Sequence, residues 1–403
     1  MGVRVNFDVA VVGGGPAGSA AALSLRQVAP WLSIVMIEQS RYGTVRAGEV
    51  IPGQTLSLLQ QLGAGRRFLN EGFHAAPEIA SAWGGPELRR SHHIYSAHGP
   101  GWHLDRAAFD QLLASEASAR GVDVRLGTAV RRIERVDDGW RLDLSAAEAG
   151  SHTLAARFAV DATGRPATVA RRAGARRVVQ DHLTAFLRYF DCGHSTLEGA
   201  DGAAIVEACA EGWWYTAAIG RAESRRVRVA AFLTDPIHAR ELRPDRAAQW
   251  QRLVANTCWI HSALKGHYSS GDVMVRPAGT ATLDRVCGGD WFAVGDAATS
   301  HDPLSGQGIL RALRSGIAAS FAIAEAATGQ RVQAEARYQR FISSGFAHYL
   351  NLRHLNYGAE SRWTRRPFWK ARLASLPPSA GRSLGADFAG RVGESRPAGA
   401  LFP

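Results

Sequence analysis

The chain has few lysines, few cysteines and no long apolar run. Its two lysines are Lys265 and Lys370, and its four cysteines are scattered over positions 192, 209, 258 and 287. Cysteines without Cys-x-x-Cys spacing argue against a disulfide framework and against a zinc site. No stretch approaches the roughly 18 consecutive apolar residues of a membrane span. We therefore expect no metal, no membrane insertion and a cytoplasmic location.

The positive charge of the chain is almost entirely arginine. The formal net charge is +11 over 403 residues. The arginines are spread along the chain, and no DNA- or RNA-binding motif accompanies them. We therefore expect no nucleic-acid partner, although a basic surface would attract acidic partners by electrostatic steering.

The N-terminal segment 7–25 reads as a short apolar strand, a glycine-rich turn and an alanine-rich helix. The turn is Gly13-x-Gly15-x-x-Gly18, and the helix begins near Pro16 and Ala17. In such a motif the first glycine permits a tight turn, the second lets the backbone approach a pyrophosphate, and the third allows close helix–strand packing. The pattern predicts a dinucleotide-binding βαβ unit.

A second strand at 33–38 ends in Glu38, twenty positions after Gly18. An acidic residue at this position accepts hydrogen bonds from the adenosine ribose and favours a free 2′-hydroxyl over a 2′-phosphate. FAD and NAD both satisfy this part of the pattern.

A third segment, 295–316, distinguishes the two cofactors. An apolar strand at 290–294 leads to Asp296, and a helix is predicted with Pro303, Gly306 and Gly308 around its first turn. The carboxylate can accept from sugar-chain hydroxyls, and a helix N-terminus favours negative charge. A reduced flavin carries negative charge at its N1–C2 edge, so the two segments together predict FAD.

The periodicity predicts an α/β fold. Helices are expected at 52–63 and at 104–121, the latter capped by Asp105, and alternating strands are expected over 180–235. We predict a Rossmann-like FAD-binding domain with an inserted antiparallel β-sheet substrate domain and a C-terminal helical segment. The FAD-binding parts are predicted at 1–75, 99–178 and 271–330, the substrate parts at 76–98 and 179–270, and the C-terminal helices and tail at 331–403.

These motifs, with Leu104-Asp105-Arg106 and the Asp-Ala-Thr-Gly of 161–164, resemble the FAD-dependent monooxygenases of the p-hydroxybenzoate hydroxylase type, which share a glutathione-reductase-type FAD domain. The resemblance implies reduction by NADH or NADPH, which visits transiently. It also implies oxygen transfer from a flavin C4a-hydroperoxide to an electron-rich aromatic substrate. The implied FAD contacts are the pyrophosphate at Gly13, Gly15 and Gly18, the ribose at Glu38, the phosphate or ribityl chain at Arg46, Arg106 and Asp296, and the flavin ring at 303–309.

Segments 48–54 and 212–216 and the strand around Trp83 are similar to the tryptophan-halogenase-like branch of these flavoproteins. The resemblance implies an active-site lysine, but His74 occupies the corresponding position and both lysines lie far downstream. We therefore expect no halogenation.

Segments 99–110, 212–217 and 231–235 resemble flavoproteins that mature tryptophylquinone enzymes. This resemblance implies hydroxylation of a tryptophan in a partner polypeptide. Two alternatives stay open: an aromatic hydroxylase of natural-product biosynthesis acting on a small molecule, and a reductase of the geranylgeranyl-reductase type. The aromatic strand of such reductases ends in proline, which 212–220 lacks.

Four side chains are candidates for the chemistry. His74 is either a general base or a structural histidine. Glu49 follows Gly48 where the family chain passes the flavin edge. Trp213 and Tyr215 share one face of a strand, either lining the substrate cavity or packing in the core.

Asp302 and the segment 337–372 can each be interpreted structurally. Asp302, which follows His301 before the flavin-facing helix, is expected to act as an N-cap. The aromatic and basic run 337–372 either docks a partner protein or packs as helices on the inserted domain.

Overall fold

The computed structural model describes residues 6–374, except 45, 47, 49, 93–97, 148–149, 193–202, 221–226 and 270. The strands are β1 Phe7–Val12, β2 Ile34–Glu38, β3 Val50–Ile51, β4 His74–Ala76, β5 Glu78–Ala82, β6 Arg89–His92, β7 Gly101–His103, β8 Asp123–Leu126, β9 Thr128–Val136, β10 Gly139–Ala146, β11 Gly150–Asp161, β12 Arg177–Val179, β13 Thr184–Asp191, β14 Ala204–Cys209, β15 Gly212–Ile219, β16 Val227–Thr234, β17 Met274–Pro277, β18 Ala281–Leu283, β19 Cys287–Gly288, β20 Trp291–Ala293 and β21 Thr299–Ser300.

The helices follow the same numbering in chain order. They are α1 Pro16–Val28, α2 Thr55–Gln61, α3 Gly65–Asn70, α4 Arg106–Ala119, α5 Thr168–Arg172, α6 Pro236–Leu242, α7 Ala247–Ala255, α8 Trp259–Leu264, α9 Gly308–Ala327, α10 Arg331–Gly358 and α11 Pro367–Leu373. Two single 3₁₀ turns, at Gly295–Ala297 and Pro303–Ser305, precede α9.

A parallel sheet carries the dinucleotide-binding motif. Its parallel strands lie in the order β8-β2-β1-β11-β20, and β19, β10 and β9 extend it in antiparallel fashion. Residues 9–12 and 34–37 are buried, as expected for strands covered on both faces. Helix α9 lies against α1, because Gly316 has no side chain: a Cβ there would lie 2.3 Å from the Ala17 carbonyl oxygen.

A second, seven-stranded sheet has the order β17-β13-β16-β15-β14-β5-β6 and is antiparallel except between β14 and β5. On one face Trp214 packs with Phe232 and with Trp250 of α7. The opposite face contacts α10 and α11 through an aromatic cluster that consists of Trp83, Trp213, Tyr357, Phe368 and Trp369. Segment 337–372 thus forms most of α10 and α11. Its residues Tyr357, Phe368 and Trp369 pack on this sheet, whereas Tyr338 packs in the core of the parallel sheet.

The structure confirms the predicted α/β class, with a Rossmann-like sheet, an additional antiparallel sheet and C-terminal helices. It also confirms Asp105 as the cap of α4, where the side chain accepts from the backbone N–H groups of Ala107 and Ala108 at 3.0 and 3.1 Å. Among the described residues no helix is long and apolar enough to cross a membrane. Outside the gaps given above, residues 6–374 contain no cluster of three or more potential metal ligands.

Candidate functional site

The glycine-rich turn between β1 and α1 leaves open space at its second glycine. Gly13 has φ +111°, and a Cβ there would lie 2.2 Å from the Ala162 carbonyl oxygen. A Cβ on Gly18 would lie 1.9 Å from the Gly13 carbonyl oxygen, whereas one on Gly15 would meet nothing within 4 Å. Gly13 and Gly18 are therefore required for packing of the protein itself. Gly15 leaves room above the first turn of α1, which a pyrophosphate can occupy.

Pro16 and Ala17 form the first turn of α1. A Cβ built on Gly295 would approach the Ala17 Cβ to 2.8 Å. The first turn of α1 and the 295–297 segment therefore meet directly, which brings the two predicted halves of the FAD site together.

Glu38 ends β2 beside this turn and is 6% exposed. Its carboxylate accepts from the Gly14 N–H at 2.8 Å and from the Ser40 N–H and hydroxyl at 3.0 and 2.6 Å. The turn therefore orients the carboxylate at the position where a ribose hydroxyl would bind. Tyr42, which the sequence did not single out, adopts φ +59° and donates its hydroxyl to the Gly14 carbonyl at 2.8 Å.

Arg46 and Arg106, both predicted at the phosphate or ribityl chain, converge on one buried carboxylate. Asp110 of α4 accepts from Arg46 at 2.9 Å and from Arg106 at 3.2 Å, and Arg46 also lies 3.3 Å from Glu38. Asp110 is fully buried. The sequence feature that could have identified Asp110 is its position next to Phe109 on the apolar face of α4. An isolated charge would be costly there, so a partner is expected.

The Asp-Ala-Thr-Gly segment after β11 supports the turn from the other side. Asp161 is buried and accepts from the Thr163 hydroxyl at 2.6 Å and from the Ala170 N–H at 2.8 Å. These bonds fix the loop whose Ala162 carbonyl lies against Gly13. Asp161 therefore has a structural role: it holds the loop that packs behind the dinucleotide turn.

Asp296 follows β20 and faces a cavity between the FAD-side segment and α10. Its side chain is 47% exposed, and its carboxylate lies 3.5 Å from the Arg165 guanidinium. The carboxylate is therefore accessible to hydroxyl groups of a ligand. Arg177, which donates to the Ser300 hydroxyl at 2.7 Å, lies behind the same segment.

The helix that is predicted to face the flavin, α9, begins later than the sequence indicated. Pro303 lies in a separate 3₁₀ turn capped by Asp302, which accepts from the Leu304 N–H at 2.9 Å. Gly306 then adopts φ +61°, and α9 starts only at Gly308. The prediction that Pro303 lies in the first turn of the helix was wrong, because the left-handed conformation at Gly306 separates the 3₁₀ turn from the helix. The N-cap interpretation of Asp302 is confirmed for the 3₁₀ turn.

Helix α10 holds this turn from behind. The Tyr357 hydroxyl donates to the Asp302 carboxylate at 2.6 Å, and the Asp302 N–H donates to the Tyr349 hydroxyl at 2.8 Å. The Trp213 indole N–H in turn donates to the Tyr357 hydroxyl at 3.0 Å. A chain of buried hydrogen bonds thus connects the Pro303–Ser305 turn with the second sheet.

Trp213 and Tyr215 share one face of β15, and that face packs on the aromatic cluster. Trp213 is 1% exposed within it, whereas Tyr215 is partly buried at its edge. Leu304 of the Pro303–Ser305 turn packs against the same cluster. Tyr215 is therefore the more accessible of the two side chains.

His74 lies in a small three-stranded sheet, β3-β7-β4. It pairs directly with His103 of β7, which also pairs with Val50 of β3. Cross-strand partners have Cβ atoms about 4.5–5.5 Å apart, so the two imidazoles are neighbours. His103 is 1% exposed and His74 partly buried. Glu49, predicted beside the flavin edge, lies outside the described residues.

Neither lysine lies in this small sheet. Lys265 is the C-terminal cap of α8, and Lys370 is an exposed residue of α11. The β3-β7-β4 sheet therefore carries two imidazole side chains, His74 and His103, and no amine.

His301 precedes Asp302 and has an unusual environment. Its ring contacts the Tyr349 ring edge-on at 4.4 Å. Burial, together with the charges of Arg311 and Arg165, lowers the pKa of His301 to about 3. The ring is therefore neutral at physiological pH.

A pH-dependent stability follows from His301. The unfolded chain protonates this histidine near pH 6.5 and the folded chain near pH 3, so the unfolded state binds more protons between these values. The contribution of neutral His301 to the free energy of unfolding is fully present above about pH 6.5 and decreases as the pH drops below that value. The expected loss from pH 7 to pH 5 is up to about 2 kcal/mol. In urea unfolding, His301→Gln should lose less stability over this interval than the parent, whereas His261→Gln, at an exposed position of α8, should match the parent. An unchanged loss in His301→Gln would contradict the assignment.

The arrangement fits FAD. The space at Gly15, the oriented Glu38 carboxylate and the accessible Asp296 carboxylate would contact the pyrophosphate, the ribose and the ribityl chain. The N-terminus of α9 directs unpaired N–H groups towards the segment predicted to face the flavin ring.

Comparison with known proteins gives the same assignment. A family model described as "FAD binding domain" matches residues 6–337. The chain is 29% identical over 376 residues to a protein of Marinomonas mediterranea named as the FAD-dependent oxidoreductase LodB, covering 92% of this chain and 97% of LodB.

Two solved structures are similar over nearly the whole chain. The myxobacterial chondrochloren halogenase CndH matches with a TM-score of 0.82 at 21% identity, covering 93% of this chain and 87% of CndH. QhpG, a peptidyl tryptophan dihydroxylase essential for tryptophylquinone cofactor biogenesis, matches with a TM-score of 0.73 at 26% identity, covering 94% and 81%. The chain therefore belongs to the FAD-binding domain family and is an FAD-dependent oxidoreductase of the monooxygenase and halogenase type.

Proposed function

We propose that the protein is a monooxygenase that hydroxylates an electron-rich aromatic ring, a tryptophan side chain within a partner polypeptide. The similarity to QhpG carries this proposal. It extends over 94% of the chain at 26% identity, and QhpG acts on peptidyl tryptophan. The imidazoles of the β3-β7-β4 sheet, where the halogenase-like resemblance implies a lysine, support hydroxylation over halogenation.

The proposed reaction consumes NADH or NADPH, a proton, dioxygen and the arene. It yields the oxidised nicotinamide, water and the hydroxylated arene, so one oxygen atom enters the ring and the other leaves as water. FAD, when bound, would supply the redox and oxygen-activating chemistry.

The side chains of the protein orient the cofactor and the substrate and move a proton. Gly15, Glu38 and Asp296 hold the cofactor. Tyr215 contacts the substrate ring from the second sheet. His74, positioned by its neighbour His103, accepts a proton from the substrate as oxygen is transferred.

A panel of acceptors tests the proposal. The purified holoprotein is supplied with NADH or NADPH, dioxygen and one of three acceptors: free tryptophan, a small phenol, or the unmodified precursor chain of a tryptophylquinone enzyme. We expect the precursor to stimulate oxygen consumption and to gain the mass of one oxygen atom per turnover. Its Trp→Phe variant should do neither.

The other outcomes of the panel each name a different function. Oxygen incorporation into the phenol alone would establish the small-molecule hydroxylase. Incorporation of bromine when bromide is added would establish a halogenase. Oxidation of the nicotinamide with saturation of an added prenyl double bond, and without oxygen incorporation, would establish the reductase.

The role of His74 is tested by His74→Gln. General-base catalysis contributes about 10²–10⁴-fold, so kcat should fall by roughly that factor. FAD content should be unchanged, because His74 lies in the small sheet and not at the dinucleotide turn. The control His261→Gln, at an exposed position, should retain kcat. If His74→Gln retained the kcat of the parent, His74 would be a structural residue and not a general base.

A further inference from the structure

The chain between α10 and α11, together with α11, presents a group of exposed cations. Phe368 and Trp369 are fully buried in the aromatic cluster, whereas Arg365, Arg366 and Lys370 are exposed. The aromatic side chains therefore hold α11 on the second sheet, and the basic side chains between them face the solvent. We call Arg365, Arg366 and Lys370 the basic corner.

The cations of the basic corner form no ion pair within the part of the chain that the structure describes. The arginines on either side of them are paired. Arg362 binds Glu360 at 2.7 Å, and Arg372 binds Asp235 at 2.8 Å. The positive charge of the basic corner is therefore not compensated by these neighbouring carboxylates.

The basic corner also places like charges side by side. The Lys370 N–H donates to the Arg366 carbonyl at 2.9 Å, so one helical turn separates the two residues. Side chains four residues apart on a helix have Cβ atoms about 5–6 Å apart, and like charges at this spacing destabilise the helix. Arg365 adds a third charge next to Arg366. Packing of the protein does not explain this concentration of charge, which favours a role in binding an anionic partner.

An indole ring connects the basic corner with the side of the second sheet that is proposed to contact the substrate. Trp363 lies partly buried, with its ring centre 4.1 Å from the Arg362 guanidinium, and it stacks on Trp369 at a centroid distance of 6.0 Å. Trp363 and Tyr215 both pack at the edge of the aromatic cluster. Because this cluster covers one face of the second sheet, the basic corner and Tyr215 lie on the same face.

We propose that the basic corner binds an acidic segment of the polypeptide substrate, next to the tryptophan that is hydroxylated. This inference rests on the proposed function, because it assigns a docking surface to the partner of that reaction. Arginine holds a carboxylate through two parallel N–H groups, so Arg365 and Arg366 match glutamate and aspartate side chains. Complementary charge of this kind accelerates encounter and selects the partner.

An acidic polypeptide matches the size of this surface better than a nucleic acid or a membrane. The basic corner has fewer charges than the roughly 6–10 phosphate contacts of a strongly salt-dependent DNA-binding surface. It also has fewer than the roughly 4–8 basic residues of a typical cluster that binds anionic lipids. A short run of carboxylates requires no larger surface.

Fluorescence anisotropy with the holoprotein tests this proposal. The probes are a labelled tryptophan peptide with four glutamates beside the tryptophan, the same peptide with four glutamines, and a single-stranded oligonucleotide of the same length. We expect the glutamate peptide to bind at least about tenfold more tightly than the glutamine peptide at low ionic strength. This difference should shrink in high salt, because exposed charges are screened. Equal binding of the two peptides would overturn the proposal.

Two triple variants with the same change in net charge locate the surface. The corner variant replaces the three cations of the basic corner with glutamine. The control variant makes the same change at exposed positions of α6, α7 and the end of α8, which pack on the opposite face of the second sheet. Its substitutions are Arg240→Gln, Arg252→Gln and Lys265→Gln.

The corner variant should bind the glutamate peptide at least about fivefold more weakly than the parent, because three exposed charge pairs are lost. The control variant should bind it within about twofold of the parent. Both variants should keep the parental FAD content and urea midpoint, because they replace exposed side chains. Equal weakening in both variants would show that net charge alone attracts the peptide, and would overturn the proposal.

The oligonucleotide and lipid vesicles identify a different partner. Vesicles of phosphatidylcholine with phosphatidylserine are sedimented with the parent and with the corner variant. If the oligonucleotide or the vesicles bound the parent more tightly than the glutamate peptide does, and the corner variant lost that binding, the polypeptide assignment would be overturned.

The binding measurements need no turnover, so they are separate from the test of the proposed function. Parental binding of the glutamate peptide by the corner variant would overturn the docking surface even if the precursor gained oxygen. Weakened binding in the corner variant alone would support the docking surface, and a precursor that gained no oxygen would then contradict the proposed function only.

Discussion

Replacing Gly15 with alanine is expected to weaken FAD binding strongly while the protein stays folded. The backbone at Gly15 has φ −73°, which alanine adopts without strain, and the added Cβ would meet no protein atom within 4 Å. The methyl group would instead occupy the space predicted for the pyrophosphate. Overpacking of this kind costs about 1–3 kcal/mol, which corresponds to roughly 5- to 150-fold weaker binding.

Gly18→Ala is the matched substitution, and it is expected to destabilise the protein itself. Its Cβ would lie 1.9 Å from the Gly13 carbonyl oxygen, so the strand–helix packing itself must shift. We expect a large loss of stability in the apoprotein as well as loss of FAD. Urea unfolding of both apoproteins and fluorescence titration with FAD separate the two effects. If Gly15→Ala unfolded as easily as Gly18→Ala, or bound FAD as the parent does, the space at Gly15 would not be the pyrophosphate site.

The second large effect is expected at Asp302. Its carboxylate accepts from the Tyr357 hydroxyl and from the Leu304 N–H, and it lies 3.6 Å from the Arg353 guanidinium. Asp302→Ala leaves these buried donors without their acceptor. Breaking such a buried charged network typically costs about 3–5 kcal/mol.

Because Asp302 caps the flavin-facing turn, Asp302→Ala should also weaken FAD binding. Tyr357→Phe removes one donor and should cost less, about 1–3 kcal/mol. Asp245→Ala, which removes an exposed carboxylate, should leave the urea midpoint unchanged. If Asp302→Ala and Asp245→Ala had equal urea midpoints, the hydrogen bonds between α10 and the Pro303–Ser305 turn would not stabilise the protein.

The elements that the sequence predicted well are those determined by residues close together in the chain. The Gly13–Gly18 turn, Glu38 at the end of its strand and the Asp105 cap each depend on neighbours within one βαβ unit or one helix turn. The alternation of Trp213, Trp214 and Tyr215 likewise follows from the period of a strand, and the structure places Trp214 on the face opposite Trp213.

The residues that the sequence did not reveal act through contacts between distant segments. Tyr349 and Tyr357 lie about fifty residues after the turn they hold, and His103 lies beside His74 only because β4 and β7 pair. Asp110 is recognisable as a partner of Arg46 only once α4 lies beside the dinucleotide turn. The late start of α9 depends on the conformation of Gly306, which glycine permits but does not require.

The proposed insertion of oxygen into a tryptophan of a partner chain is tested most directly by mass spectrometry of a tryptophylquinone-enzyme precursor. The precursor is analysed after reaction with the holoprotein, NADH or NADPH, and isotopically labelled dioxygen. We expect one labelled oxygen atom on the tryptophan for each nicotinamide consumed, and none when Trp→Phe precursor is used. A precursor of unchanged mass after complete nicotinamide oxidation, or oxygen derived from water, would contradict the claim.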